Sequence, residues 1–391
     1  MTSPVEVAWD ASFLSYDFGP CHPMSPLRLD LTMRLADELG LLAGVKVTDA
    51  PLADERLLGL VHDAGYVEAV KAASLEPAYA DFDHGLGTDD TPAFSGMHEA
   101  SAHYVGATVQ GAEHVWSGQA AHAVNISGGM HHALRGSAAG FCVYNDCGVA
   151  ISRLLELGAE RVAYVDVDVH HGDGVEEAFY ADPRVLTISL HETGLALFPG
   201  TGWPASSGAA GAEGTAVNVA LPPGTGDSGW LRAFDAVVPP LLAEFRPQVL
   251  VTQHGADSHA ADPLAHLALS LDAQRQSYAT LHELAHEHCE GRWIATGGGG
   301  YEPVDVVPRA WAHLLAIAAH RPVDPATACP DSWRSYVSEL VGRPAPARMT
   351  DGADPSFVPW ARGYDPADPL DQAVLATRAA VFPCFGLDPQ P

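Results

Sequence analysis

The sequence predicts an α/β fold with a central, mostly parallel β-sheet and helices on both faces. Two observations carry this prediction. Short apolar, β-rich segments recur along the chain, at 121–127, 161–169, 184–190, 215–221, 248–253 and 292–296. Longer amphipathic stretches near 96–117, 145–157, 228–244 and 273–289 are typical of helices. Strands and helices that alternate in this way favour a parallel sheet.

Length and composition are consistent with one domain over residues 1–391. A hydrophobic fraction of 47% provides a sizeable core. We expect that core over about 10–320, and we interpret the Pro-rich segment 321–391 as a peripheral extension. The six cysteines form no CxxC pair and no disulfide-dense pattern, which favours reduced thiols in a cytoplasmic protein.

The charge and the hydropathy exclude several classes of partner. The formal charge is −29, and the only lysines are Lys46 and Lys71. Binding to nucleic acid needs a basic surface, so we expect no direct contact with DNA or RNA. The first residues lack the pattern of a signal peptide, and no apolar stretch approaches the ~20 residues of a membrane span. We expect a solvated acidic surface and no membrane association.

Polar or glycine-rich segments follow five of the predicted strands. In chain order they are SGGMHH, DVHHGDG, SLHETG, QHGADSHAADPL and TGGGGYEP. The carboxyl ends of parallel strands meet at one edge of a sheet, and ligand sites lie there. The sequence therefore predicts that these five segments form one site.

The segment VDVDVHHGDG indicates a metal site. If it is a strand, its alternation places Asp166, Asp168 and His170 on one face. Buried unpaired charges are costly, and a divalent cation would compensate them. Asp257, just past an apolar strand, is the best candidate for a third ligand after Asp168 and His170, and such a set leaves positions open for water and substrate. A hydrogen-bonded polar strand end is the alternative.

The same edge offers groups for acid–base chemistry. His131 and His132 follow a flexible Gly-Gly turn and could act as bases, although adjacent histidines could also be chance among 20. Asp166 and Asp173 could each accept an imidazole N–H and fix its tautomer. Tyr301, after four glycines, could donate a hydrogen bond to a developing oxyanion.

Two aromatic residues near the site suggest a narrow apolar tunnel. Phe141 and Phe198 could flank an aliphatic chain beside the metal, although core packing is the simpler interpretation of each residue alone. We interpret His171 and His191 as structural histidines, and we assign no role to His259.

These motifs resemble those of the histone deacetylase superfamily. HPMSPLR, LGTDDTP, SGGMHHA, GFCVYND, VDVDVHHGDG, SLHETG, FPGTG, QHGADSHAADPL and GGGGY occur in order over roughly three quarters of the chain. Within the superfamily the chain looks most like the bacterial acetoin utilization deacetylases, which are similar to class I enzymes. The resemblance implies an arginase–deacetylase fold and hydrolysis of N-ε-acetyl-lysine in proteins or peptides to lysine and acetate.

The resemblance also implies roles for the site residues. The ligands to zinc or ferrous iron would be Asp168, His170 and Asp257. Asp166 would pair with His131 and Asp173 with His132. His132 would be the leading base for the attacking water, His131 would orient and stabilise, and Tyr301 would polarise the carbonyl.

A substrate site and a structural potassium ion are implied in the same way. The substrate-binding residues would be Arg28, Asp90, Gly140, Phe141, Phe198 and Leu264, with Asp89 replacing Asp90 if the alignment shifts by one. Arg28 would line the inner cavity by which acetate leaves. The potassium ion would be held around Asp166, Asp168, His170, Ser189 and Leu190, mostly through backbone carbonyls.

Three other functions compete with this one. An arginase-type hydrolase with two manganese ions needs a second bridging carboxylate, where this chain has Asp257-Ser258-His259. An acetylpolyamine hydrolase would be expected to carry a carboxylate gatekeeper or a long rim insertion, where this chain has Leu264 and no obvious insertion. A ligand-sensing or scaffolding protein would be expected to lose one of the site residues. The physiological substrate, the native metal and the oligomeric state stay open.

Overall fold

A single parallel sheet organises the part of the chain that the structure describes, residues 4–391 of a computed structural model. The first three residues of the predicted domain lie outside that range. The strands are β1 Val5–Ala8, β2 Lys46–Thr48, β3 His122–Asn125, β4 Val162–Asp166, β5 Val185–Glu192, β6 Ala216–Leu221, β7 Val249–Gln253 and β8 Trp293–Thr296. Their order in the sheet is β2-β1-β3-β8-β7-β4-β5-β6, and neighbouring strands are parallel. The predicted α/β class with a parallel sheet is therefore confirmed.

Helices connect and cover these strands. Over residues 4–391 they are α1 Leu27–Glu38, α2 Glu55–Leu58, α3 Ala64–Leu75, α4 Met97–Ser117, α5 Asp146–Glu156, α6 Asp173–Phe179, α7 Asp227–Phe245, α8 Leu271–His288, α9 Val307–Ala318, α10 Asp331–Val341 and α11 Pro369–Val381. The four helices predicted from periodicity correspond to α4, α5, α7 and α8. None of the helices described is long and apolar enough to cross a bilayer.

The central strands form where the sequence is continuously apolar. Every residue of β3, β4, β7 and β8 is buried. Helices that cover both faces of a strand exclude water from all of its side chains. Such a strand is therefore continuously apolar and rich in Val and Ile, rather than alternating between apolar and polar residues. The three-residue edge strand β2 is mostly exposed, and its short KVT sequence has no such pattern.

Strand β4 ends earlier than the sequence predicts. Its last residue is Asp166, so Asp168 and His170 lie in the loop that follows rather than on one strand face. The loop still places both side chains at the carboxyl edge of the sheet, because Asp168 contacts Gln253 at the end of β7 and Gly299 after β8. The prediction of a shared strand face is wrong, whereas the prediction of a shared edge holds.

The last helix covers one edge of the sheet. Helix α11 packs against β6 and α7. The hydroxyl of Thr377 donates a hydrogen bond of 2.6 Å to the backbone carbonyl of Asn218 in β6. The Pro-rich segment after residue 321 therefore contributes helices, and one of them contacts the outermost strand.

Candidate active site

Three donor residues converge just beyond the carboxyl ends of β4 and β7. Asp168, His170 and Asp257 are buried, and their donor atoms lie within 4.8 Å of one another. His170 Nδ1 is 3.1 Å from Asp168 Oδ1 and 3.3 Å from Asp257 Oδ2. Two carboxylates and one imidazole provide the oxygen and nitrogen ligands that zinc and ferrous iron accept.

The donor set fits a divalent cation because one of its oxygens lacks a partner. Within residues 4–391, Asp257 Oδ2 is buried without a hydrogen bond. Burial, together with the negative charge of Asp168, raises the pKa of Asp257 to about 6. A bound cation would stabilise both carboxylates in their ionised form, since it replaces the solvent that they have lost.

The outer oxygens of this set are fixed by hydrogen bonds. Asp168 Oδ2 accepts from the side-chain amide of Gln253 at 2.7 Å and from the backbone N–H of Gly299 at 2.9 Å. Asp257 Oδ1 accepts from the backbone N–H of Val169 at 3.0 Å. Such contacts orient metal ligands before the metal arrives. Gln253 was missed by the sequence analysis, although it ends the predicted strand 248–253.

Two glycines leave the space that the carboxylates occupy. A Cβ atom at Gly255 would overlap the carboxylate of Asp168, and a Cβ atom at Gly299 would overlap Asp257 Oδ2. The backbone of the glycine-rich loop after β8 therefore lies against the donor residues, where a side chain would not fit. This contact explains why TGGGG occurs at this strand end.

Two His–Asp pairs stand beside the donor set. His131 Nδ1 lies 2.7 Å from Asp166 Oδ2, and His132 Nδ1 lies 2.7 Å from Asp173 Oδ1. The Nε2 atoms of His131 and His132 are 3.1 Å apart. Asp166 Oδ2 also accepts the hydroxyl of Tyr164 at 2.7 Å. Each carboxylate accepts the Nδ1 proton, so both Nε2 atoms are directed to the same space.

The two imidazoles differ in their affinity for a proton. Burial disfavours the charged form of His131, but the carboxylates of Asp166 and Asp168 outweigh burial and raise its pKa to about 9. Burial and the neighbouring His131 lower the pKa of His132 to about 4. At neutral pH the structure therefore places a neutral imidazole, His132, next to a cationic one.

A buried carboxylate shapes the turn that carries the two histidines. Asp146 accepts the backbone N–H of Gly129 at 3.0 Å and that of Met130 at 2.8 Å through Oδ1. Gly129 has a φ of 89°, which favours glycine. The sequence analysis missed Asp146, although it lies within the quoted motif GFCVYND.

Aromatic rings flank the approach to these groups. The rings of Phe141 and Tyr301 have centroids 5.5 Å apart, and those of Phe198 and His132 are 5.0 Å apart. The backbone N–H of Tyr301 donates to Asp262 at 2.8 Å. Burial, with the charges of Asp257 and Asp168 adding to it, raises the pKa of the Tyr301 phenol well above its usual value. The phenol therefore stays protonated and can donate a hydrogen bond. The buried Asp262 is a further residue that sequence reasoning missed.

The other residues predicted to bind substrate lie on both sides of this site. Asp90 Oδ2 accepts the backbone N–H of Gly140 at 2.7 Å, next to Phe141, whereas Asp89 is exposed. Leu264 is half-buried, and its backbone N–H donates to Asp262 Oδ1 at 3.0 Å.

Arg28 is buried on the inner side of the glycine-rich loop. Its Nη1 donates to the backbone carbonyls of Gly298 at 2.7 Å and Gly300 at 3.3 Å. It also borders a small interior cavity together with Tyr16 and Ser127. The structure therefore brings Arg28 behind the loop that carries Tyr301.

The potassium site stays a prediction. Asp166 of β4 is aligned with Ser189 of β5, and Leu190 follows Ser189 in the same strand. This register brings the segments of the predicted potassium ligands side by side at the end of the sheet.

The histidines without an assigned role are held by hydrogen bonds. His171 contacts Thr201 Oγ1 at 2.8 Å and Glu176 Oε2 at 3.1 Å, and His191 contacts the hydroxyl of Ser189 at 2.8 Å. His171 and His191 are thus structural, as predicted. His259 Nε2 lies 2.8 Å from Asp351 Oδ2, so this ring is held by Asp351 and is not directed to the donor set.

Comparison with known proteins agrees with the arrangement of these residues. The profile of the histone deacetylase domain matches residues 22–318. The chain belongs to the histone deacetylase family. This confirms the resemblance found in the motifs, and it makes the protein a hydrolase of the deacetylase type from a metal-dependent family.

Relatives and solved structures define its place in the histone deacetylase family. The acetoin utilization protein AcuC of Bacillus subtilis (strain 168) is 41% identical over 348 residues, covering 88% of this chain and 89% of the relative. AcuC of Staphylococcus xylosus is 38% identical over 324 residues, covering 82% and 83%. The crystal structure of an HDAC homolog from Aquifex aeolicus matches with a TM-score of 0.83 at 26% identity, over 96% of this chain and 100% of that one. The predicted arginase–deacetylase fold is confirmed.

Proposed function

We propose that this protein hydrolyses N-ε-acetyl-lysine in proteins to lysine and acetate, with zinc or ferrous iron at Asp168, His170 and Asp257. One observation carries the proposal. The Nε2 atoms of His131 and His132 are 3.1 Å apart, beside a buried donor set, and the ring of Phe198 lies next to His132. Such a site can hold an amide carbonyl, a water molecule and a proton acceptor together.

The cation, when bound, acts as a Lewis acid toward the acetyl carbonyl and the attacking water. His132 takes the proton of that water at Nε2, because its low pKa keeps it neutral at physiological pH. The water oxygen forms a bond to the carbonyl carbon, and the proton on His132 then passes to the lysine nitrogen as the C–N bond breaks. The products are the neutral amine of lysine and acetic acid, which releases its proton to give acetate. Asp173 holds His132 in the tautomer that presents a free Nε2.

His131 and Tyr301 stabilise the negative charge that develops on the carbonyl oxygen. The carboxylate of Asp166, 2.7 Å from His131 Nδ1, favours the cationic form of this imidazole. The Tyr301 phenol donates a hydrogen bond and keeps its proton over the whole physiological range. Hydrogen-bond donors and charges that are positioned before the reaction begins stabilise the transition state most strongly in a site that excludes water.

The channel and its rim support an acetylated peptide as the substrate. Phe141 and Phe198 provide apolar walls for the lysine stem, and Phe198 is 45% exposed at the rim. Leu195 and Trp203, close to Phe198 in the chain, are 83% and 38% exposed. An exposed apolar rim favours contact with a polypeptide, whereas a polyamine carries further cationic amines that would need carboxylates there. Asp90 would bind the backbone N–H groups of the peptide.

The proposal is tested with a panel of substrates on the metal-loaded enzyme. We expect kcat/KM for an acetyl-lysine peptide to exceed that for acetylputrescine and acetylspermidine by at least about tenfold, a difference of ~1.4 kcal/mol. Asp90→Asn should lower kcat/KM for the peptide more than for acetylated small amines, with Asp89→Asn as the matched control. A preference for the polyamines would refute the choice of substrate and leave the deacetylase chemistry intact.

A further inference from the structure

Four histidines meet at the edge of the sheet opposite to the active site. His122 is the first residue of β3, His282 and His286 lie one turn apart on α8, and His320 follows the end of α9. The ring centroids of the six possible pairs are separated by 4.6–5.4 Å. One nitrogen of each ring lies within 4.8 Å of those of the other three rings. Only the spacing of His282 and His286 is visible in the sequence.

His122 contributes a buried ring with one unpartnered nitrogen to this cluster. The side chain is fully buried, and its Nδ1–H donates a hydrogen bond of 2.7 Å to the carbonyl of Ala318. The neutral ring therefore carries a lone pair on Nε2. In the part of the chain that the structure describes, Nε2 has no hydrogen-bond partner. Metal-binding histidines are commonly held in this way, with one ring N–H on a backbone carbonyl and the other nitrogen on the metal.

Two of the other three rings present nitrogens at the spacing of metal ligands. The Nε2 atoms of His282 and His286 are 3.2 Å apart. Two ligands at about 2.0–2.1 Å from a tetrahedral zinc ion are separated by ~3.3 Å.

We infer that His122, His282, His286 and His320 form a second metal site, for a divalent late first-row ion that prefers imidazole ligands, such as zinc. Four protein ligands would close a tetrahedral coordination shell, as in structural rather than catalytic sites. The ion would connect β3, α8 and the end of α9, which are far apart in the chain. The formal charge of −29 favours uptake of a cation.

The test compares zinc binding by tag-free wild-type protein and by His282→Ala/His286→Ala. The wild type should retain about two zinc ions per chain after dialysis, and the double variant about one. His288→Ala is the matched control, because His288 lies on the same helix outside the cluster and should leave the zinc content unchanged. Deacetylase activity should be the same in all three proteins, since none of these residues contacts the active site.

A second variant keeps the test decisive if the double variant does not fold. His320 has a φ of 56°, a conformation that glycine adopts without strain, so His320→Gly removes a ligand without disturbing the backbone. It should lose one of the two zinc ions and the part of the zinc-dependent rise in Tm that this ion provides. Equal zinc content in the wild type and His320→Gly would overturn the inference, and the cluster would then be a stack of neutral rings. Because zinc content is read separately from activity, this result would not affect the proposed deacetylase function.

Discussion

The hydroxyl of Tyr301 offers a direct test of the proposed chemistry. Tyr301→Phe removes one oxygen and keeps the ring, whose position depends on packing against Phe141 and on the backbone hydrogen bond to Asp262. The donor set at Asp168 does not involve the phenol. We therefore expect a loss confined to the transition state. Removing one oxyanion donor lowers kcat by ~10²–10³, which corresponds to about 2.7–4 kcal/mol.

The assay is steady-state kinetics with an acetyl-lysine peptide, together with metal analysis of the same samples. Tyr301→Phe should show the reduced kcat, an almost unchanged KM and the metal content of the wild type. Tyr79→Phe, on a side chain that is 79% exposed, serves as the control. A kcat equal to that of the wild type would show that the Tyr301 hydroxyl does not stabilise the transition state. A variant that loses its metal would show instead that the phenol supports the donor set.

Further predictions concern the metal, inhibition and acid stability. Asp168→Ala should lose the catalytic metal and activity together in metal analysis and turnover assays, and retained turnover would contradict the ligand assignment. A hydroxamate on a linear aliphatic arm should inhibit at micromolar concentration, whereas indifference to millimolar inhibitor would count against the channel. Burial lowers the pKa of His62 and His313 to about 4 and that of His254 to about 3. Below about pH 6.5 these histidines bind a proton in the unfolded chain but not in the folded protein. The free energy of unfolding therefore falls as the pH falls, by about 2 kcal/mol for each histidine at pH 5. Urea unfolding at pH 7.5 and pH 5 should show the decrease, and His254→Gln should weaken it.

The central sheet was predictable because its strands are buried on both faces. Continuous apolar runs of the kind seen in β4 and β7 occur where helices cover a parallel sheet. The edge strand β2 has three mostly exposed residues and no pattern to detect. The helices α10 and α11 start directly after prolines or at a proline, in a segment whose composition indicates irregular structure. Their stability comes from packing against the domain, which local sequence does not reveal.

The candidate active site was partly predictable because the residues proposed to react follow strand ends. His131, Asp168 and Tyr301 stand in short motifs whose chemistry can be interpreted directly from the sequence. Gln253 and Asp262 act through hydrogen bonds to those residues, and nothing in their own neighbourhoods distinguishes them from ordinary polar side chains. The early end of β4 was missed because Val167 and Val169 continue the alternation although the chain has already left the sheet.

Helix α11 has a consequence for any shortened form of this protein. The profile of the histone deacetylase domain ends at residue 318, yet the backbone carbonyl of Asn218 in the outermost strand accepts a hydrogen bond from Thr377 of α11. A fragment that ends at residue 318 would lose α11 and leave this carbonyl without its partner. An uncovered edge strand can pair with a strand of another chain. We therefore expect such a fragment to self-associate more readily than the full chain, and α11 belongs in any fragment intended to stay monodisperse.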